Sequence, residues 1–245
     1  MSFASRSGAH EEERHLPVPE TGPVSTGYAP IIEAAHAREP AADCALCPRL
    51  VAHREADCTP DSAGRDGPVP SVGSRNAPLL IVSLAPGRQA ARDAFRPFAD
   101  EHAASLLYEA LHTAGLAETP APPAVHDFPE QTLYRIVCTT RCRSPENLPQ
   151  PSEIVACNQF LKSELQTMPN LRVVLALGVL AHNATVAACG IPFSRTGFHP
   201  GEITSLPDGL RIADSHHLSR HNIESGIVTR KTFRHLVSKI SEEIR

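Results

Sequence analysis

No stretch of this chain approaches the roughly 20 consecutive apolar residues of a membrane-spanning helix, which excludes a helical membrane anchor as an expectation. Bulk basicity is missing as well: 23 Lys and Arg stand against 27 Asp and Glu, a net charge of −4, so total charge announces no nucleic-acid partner. The opening MSFASRSGAHEEERH has no apolar core segment, so a secretory leader is not expected. Seven cysteines at uneven spacing do not form the even-numbered framework of a disulfide-stapled domain. Internal repeats are absent too. Together these absences predict a soluble protein of the reducing cytoplasm, without a membrane partner.

The charges that are present are unevenly placed. Residues 134–245 carry 13 basic and 9 acidic side chains, whereas residues 43–133 carry 7 and 12. A polyanion would therefore meet the C-terminal half, although solubility explains the same asymmetry. Four cysteines are more informative. Cys44 and Cys47 form a C-x-x-C pair, and Cys142 and Cys157 follow far downstream. Thiolates bind soft metals, and a close pair supplies two ligands with little chain to close between them. If the four converge, they suit either a 4Fe–4S cluster or zinc, while a C-x-x-C alone also fits a redox pair.

Residues 1–42 mix Pro, Gly, Ser, Ala and charge without sustained periodicity and read as a disordered tail, with the folded domain spanning 43–245. Residues 57–77 read as a loop. Four apolar runs of strand length follow: Leu79–Leu84, Tyr134–Thr139, Val173–Leu177 and Leu210–Asp214. Between and after them lie helical patterns over Glu101–Ala114, from Pro151 (with Ile154, Val155, Phe160, Leu161 and Leu165 on its apolar stripe), over Val179–Cys189 and over Thr229–Ile244. This alternation predicts an α/β fold, a three-layer α/β/α arrangement around a central, mostly parallel four-stranded sheet. Ligands of such sheets bind beyond the C-terminal strand ends. That rule points at Ala85–Phe98, Thr140–Asn147, Gly178 and its neighbours, and Ser215–Asn222.

The segments at those strand ends carry recognisable motifs. The first strand runs into S-L-A-P-G-R-Q-A-A-R-D-A-F-R-P-F-A-D-E-H, the second into T-T-R-C-R-S-P-E-N and the fourth into D-S-H-H-L-S-R-H-N, after an early C-x-x-C-P-R-L. In this order the chain resembles the iron–sulfur uracil-DNA glycosylases, and among them family 5, over about residues 44–240. That family shows L-A-P followed by G-R-P-F-T-G-D, then V-R-C-x-P-P-x-N, then H-P-S-R-Q-N. The resemblance implies a monomeric, monofunctional enzyme that removes uracil and other deaminated bases from DNA and leaves an abasic site.

By the same resemblance Cys44, Cys47, Cys142 and Cys157 hold a structural 4Fe–4S cluster. Glu101 stands where the family has the Asp of T-G-D, which positions the attacking water. His217 aligns with the His that donates to the departing uracil, and Asn147 holds water or a phosphate. Phe98 is the stacking aromatic, and the backbone around Ala85, Pro86 and Gly87 lines the base pocket. Arg220 and Asn222 approach the phosphates of the DNA while Leu218 wedges into the gap left by the base. The plain alternatives are a helix-terminal charge for Glu101, a packing or capping role for His217, a turn for Asn147, a core position for Phe98 and a solvated loop for Leu218, Arg220 and Asn222.

The chain departs from the family pattern where Phe95 replaces a Gly, Ala99 and Asp100 replace Thr and Gly, Glu101 replaces Asp, and Leu218 replaces Pro. Losing glycines at one pocket removes backbone freedom there. A catalytically weak or inactive DNA-binding relative is therefore a second expectation, and a zinc-stapled domain unrelated to DNA a third.

Overall fold

The computed structural model describes residues 38–56, 67–87, 98, 101–121, 123 and 132–245, with Glu101 and His102 described by backbone alone. Most of the expected tail, and Cys58, Phe95, Ala99 and Asp100, lie outside the described residues. The elements in chain order are α1 (Pro48–Ala56), β1 (Val72–Gly73), β2 (Leu79–Ser83), α2 (Glu101–Thr113), β3 (Tyr134–Cys138), α3 (Pro151–Thr167), β4 (Val173–Leu177), α4 (Val179–Ala188), β5 (Ile203–Ser205), β6 (Arg211–Ser215), α5 (Arg220–Glu224) and α6 (Arg230–Ile244).

The strands form one sheet in the order β1-β3-β2-β4-β6-β5. Its four inner strands pair in parallel, with Leu79 opposite both Tyr134 and Val173, and Val173 opposite Arg211. These are the four runs read from the sequence. The expected count of four strands was too low, because antiparallel β1 and β5 extend the two edges. Both are too short to carry an alternating pattern of their own and exist through pairing with β3 and β6.

Alternate residues of the inner strands feed two cores on opposite faces. Leu79, Ile81, Val173 and Leu175 pack with α2 and α6, while Leu80, Val82, Val174 and Ala176 pack with α3 and α4. Strands buried on both faces read as continuous apolar runs, which is why these were legible. Val155 is the exception to the predicted stripes: it points outward from α3, 75% exposed. Helix α3 begins at Pro151 behind a capping box, in which the Gln150 N–H donates to Glu153 Oε2 at 2.7 Å.

A charged cluster ties one edge together. Arg135 of β3 and Glu164 of α3, both buried, form a two-pronged pair at 2.8 and 3.0 Å, and Arg135 Nη1 also donates to the Gly73 carbonyl at 2.6 Å. Burial pushes the Glu164 carboxyl up, but the Arg135 bonds and charge outweigh it and hold it below the usual range. Packing here begins before the expected boundary at Asp43. The Arg38 N–H donates to Ser163 Oγ at 2.8 Å, and Glu39 reaches Arg141 at 3.0 Å and Arg135 at 3.5 Å.

The helices that follow β2 and β4 lie on opposite faces of the sheet, α2 on one and α4 on the other. Neighbouring strands whose following helices part in this way mark the crevice, beyond their C-terminal ends, where open α/β sheets take up ligands. Everything catalytic in the sequence reading was expected along that edge.

Candidate active site and cysteine cleft

The turn after β2 is fixed by its neighbour. The Leu84 carbonyl accepts from the Thr140 N–H at 3.1 Å, and from the hydroxyls of Thr139 at 2.5 Å and Thr140 at 3.2 Å. This clamp from the end of β3 holds Ala85, Pro86 and Gly87 at the crevice, with Pro86 buried and Gly87 exposed. Among the described residues, a side chain added at Gly87 would meet nothing within 4 Å.

β6 delivers His216 and His217 to the same edge. His217 is partly buried, and burial lowers its pKa below the usual 6.5, so the ring is neutral at neutral pH. Gly178, at the end of β4, closes on it from beside. A Cβ at Gly178 would stand 3.2 Å from His217 Cβ, and its φ of 101° is itself suited to glycine. From the other side Asn222 Nδ2 donates to the His217 carbonyl at 2.8 Å. A nuclear magnetic resonance titration is expected to place the His217 midpoint below 6.5. Since the folded value lies beneath the unfolded one, this group withdraws stability as pH falls through about 6.5.

Phe98 and Asn147 both adopt the left-handed backbone, with φ of 56° and 57°. Such conformations are uncommon outside glycine and collect at sites where a side chain must be aimed. Phe98 is partly buried against the core cluster of α2 and α6. Asn147 is exposed on the short 3-10 turn Pro145–Asn147, and its N–H donates to the Ser144 carbonyl at 3.0 Å. Glu101 is the first residue of α2, whose Ala103 and Ala104 share a core with Leu218. The Glu101 side chain is outside the described residues.

The four cysteines reach the wall of a single cleft, which Leu50, Arg141 and Phe160 also line. Cys44 and Cys47 stand at the entrance to α1, Cys142 follows β3, and Cys157 is buried in α3. Two donors face the sulfurs: the Arg141 N–H approaches Cys157 Sγ at 3.4 Å and Arg54 Nη1 approaches Cys142 Sγ at 3.9 Å. Burial raises the Cys157 thiol to about 12 and raises Cys47 and Cys142 as well. A metal would have to displace those protons. Among the described residues no three Cys, His, Asp or Glu side chains close on one point as ligands of a single ion would. The donor set nevertheless suits a thiolate-ligated centre: four sulfurs, N–H donors toward two of them, and an apolar wall.

Residues 70–237 match the model of the uracil DNA glycosylase superfamily. The chain belongs to that superfamily. It is 36% identical over 195 residues to a type-5 uracil-DNA glycosylase of Thermus thermophilus, covering 78% of this chain and 89% of the relative. A type-5 uracil-DNA glycosylase of Mycobacterium tuberculosis is 33% identical over 196 residues, 76% of this chain and 72% of the relative. One from Pyrobaculum aerophilum is 31% identical over 206 residues, 82% and 89%.

The three residues expected to meet DNA lie at the end of β6 in this superfamily member, Leu218 buried, Asn222 partly buried and Arg220 exposed. Leu218 is 2% exposed within the core cluster. Its core neighbours there include Ala103 and Ala104 of α2. Asn222 directs its amide to the His217 carbonyl rather than outward, which makes it a support for the His217 loop. Arg220 is exposed but engages Glu224 at 2.7 Å within α5. The sequence reading also passed over His182 and Asp214, a fully buried pair behind the glycosylase crevice. A histidine inside an apolar helix run gives no sign of its partner 32 residues away.

Proposed function

We propose that this chain hydrolyses the N-glycosidic bond of uracil in DNA, leaving an abasic site, as the first step of base excision repair. The observation that carries the reading is His217, a neutral imidazole braced by Gly178 and Asn222 at the C-terminal edge of the sheet. It stands in a chain whose relatives are type-5 uracil-DNA glycosylases.

The base must leave the helix to be reached, and the crevice beyond β2 and β4 is the place for it. Phe98 offers the stacking face, and the backbone of Ala85–Gly87 borders the ring. Cleavage develops positive charge on the sugar and negative charge on the departing base. A neutral His217 donating toward the uracil O2 stabilises that oxyanion without transferring a proton. Glu101, at the start of α2, orients the attacking water and offsets the charge on the sugar, while Asn147 holds water or a phosphate. Other deaminated bases enter the same pocket when their edge matches these donors.

Cys44, Cys47, Cys142 and Cys157 hold a 4Fe–4S cluster, which when bound ties α1 to the β3 end and α3 and leaves the reaction to the side chains of the crevice. Support comes from the four sulfurs on the wall of one cleft and the N–H donors that approach two of them.

Purified protein incubated with single- and double-stranded uracil oligonucleotides is expected to yield alkali-labile abasic sites and free uracil, with undamaged DNA left intact. Binding without abasic-site formation would overturn the proposal in favour of an inactive DNA-binding relative.

A further inference from the structure

His182 and Asp214 take no part in the mechanism above, yet they are buried to within 1% of complete and aligned behind the crevice. Asp214 lies in β6, three residues before His217 (217 − 214), and His182 projects from α4. His182 Nδ1 is 2.8 Å from Asp214 Oδ1, and its Nε2 is 3.2 Å from the Thr196 carbonyl oxygen. Both partners are acceptors. A neutral imidazole has one N–H and would leave a lone pair facing an oxygen, whereas the imidazolium donates to both. Burial opposes a charged ring here, but the Asp214 carboxylate and the Thr196 bond outweigh it and raise the His182 pKa above 6.5.

The surroundings show what the pair holds. Asp214 Oδ2 accepts from the His199 N–H at 2.9 Å, the Asp214 carbonyl accepts from the Gly201 N–H at 2.7 Å, and the Asp214 N–H donates to the Glu202 carbonyl at 3.1 Å. Residues 196–202 are thereby fastened to the end of β6. Phe198 of this loop sets its ring edge-on against His182 at 5.7 Å and against His216 at 5.9 Å. From β6 the charged group facing His182 is Asp214. The loop presents the Thr196 carbonyl and Phe198, with His216 behind that ring and His199 reaching Asp214 through its main chain. From α4 itself, Thr185 turns its hydroxyl to the Ala181 carbonyl at 2.8 Å.

We infer that His182 and Asp214 are a positioning pair for base excision: the imidazolium latches residues 196–202 to β6, keeps Phe198 against His216, and so fixes the adjoining His217 toward the base. The inference rests on the glycosylase reading and goes beyond it by assigning a proton-dependent support to residues that touch no substrate. Its sign follows from the raised pKa. The latch is complete below about 6.5, the unfolded value, and is lost as pH rises through the higher folded value, when Nε2 no longer donates to Thr196.

The test measures kcat and KM on a single-stranded uracil oligonucleotide from pH 6 to 10 for the full chain, Asp214→Asn and His182→Gln. Imidazole titration of His182 and hydrogen exchange across 196–202 are followed in parallel. The unaltered protein is expected to lose kcat on the alkaline side at the midpoint where His182 loses its proton. Asp214→Asn should move that limb down by about one pH unit or more and lower kcat about tenfold at pH 8, with KM changed less than about threefold. His182→Gln, which has no titrating ring, should lack the limb and start lower.

A His182 midpoint at or below 6.5, a limb that Asp214→Asn does not move, or a loss confined to KM would overturn the inference. If Asp214→Asn does not fold, His182→Gln supplies the same comparison. If the unaltered chain leaves uracil in place, the glycosylase reading fails alone, and the His182 titration with hydrogen exchange still decides whether the latch exists.

Discussion

His217→Ala is expected to lower kcat for uracil release by about 10²–10³-fold, with affinity for uracil-containing DNA changed no more than a few-fold. The magnitude is that of removing one preorganised donor to a developing oxyanion. The asymmetry between kcat and binding follows because negative charge on the base grows only as the glycosidic bond breaks, so the donor contributes little to the ground state. The imidazole is well placed for this, being neutral through burial and clamped on both sides. A Cβ added at Gly178 would stand 3.2 Å from its Cβ, and Asn222 donates to its carbonyl at 2.8 Å. Asn222→Ala leaves the imidazole in place but frees its backbone, so its loss of kcat should be smaller, about tenfold. Single-turnover kinetics on a uracil oligonucleotide, with binding followed by fluorescence anisotropy, separates the two quantities. An alanine variant that keeps full kcat would remove His217 from the chemistry, and equal losses in both parameters would make it a binding residue.

The second large effect is expected from the cysteine cleft. Cys142→Ala and Cys157→Ala should abolish the broad visible absorbance of an iron–sulfur protein, lower Tm by at least about 10 °C, and open residues 44–56 to proteases. The reason lies in how little else holds that segment. Helix α1 has nine residues, and Leu50 is its buried one. Its ties to the rest of the chain include the Arg49–Glu153 pair at 2.7 Å, Arg49 Nη2 donating to the Leu148 carbonyl at 3.4 Å, and the Arg54 contact to Cys142 at 3.9 Å. A helix of that length is marginal in water without tertiary support. A structural metal centre supplies folding free energy directly, several kcal/mol or more, and each kcal/mol moves Tm by roughly 2–4 °C in a domain of this size. The sheet carries its own two-sided core and should stay folded, so far-UV circular dichroism ought to change less than protease sensitivity does. Metal analysis and absorbance of the unaltered protein give the control. A colourless protein with one bound zinc and the same proteolytic pattern would keep the staple and reject the cluster.

The sequence made the central strands readable because each is buried on both faces and contributes an unbroken apolar run. Helices α2, α3, α4 and α6 were readable from their stripes and caps, such as the Thr229 side chain accepting from the Thr232 N–H. Elements without such signals went unseen. α1 and α5 bury too little, and β1 and β5 take their form from the strands beside them. At the site, motif order put the L-A-P turn and His217 at strand ends, but three contacts at the end of β6 were not legible from position in a motif. Leu218 is drawn under the loop by burial, Asn222 turns inward to a carbonyl, and Arg220 is engaged by Glu224 one turn along α5.

By itself, then, the sequence determined the parallel α/β frame, the strand ends at which chemistry gathers and the set of thiols available to a metal. These follow from local periodicity and from which residue types are present. Only the tertiary structure decided which side chains face one another: Gly178 against His217, Glu39 against Arg141, and His182 against both Asp214 and Thr196. Such pairings join residues from tens to about a hundred positions apart. They are fixed by strand order and by the requirement that buried polar groups find partners, a condition satisfied in three dimensions and invisible along the chain.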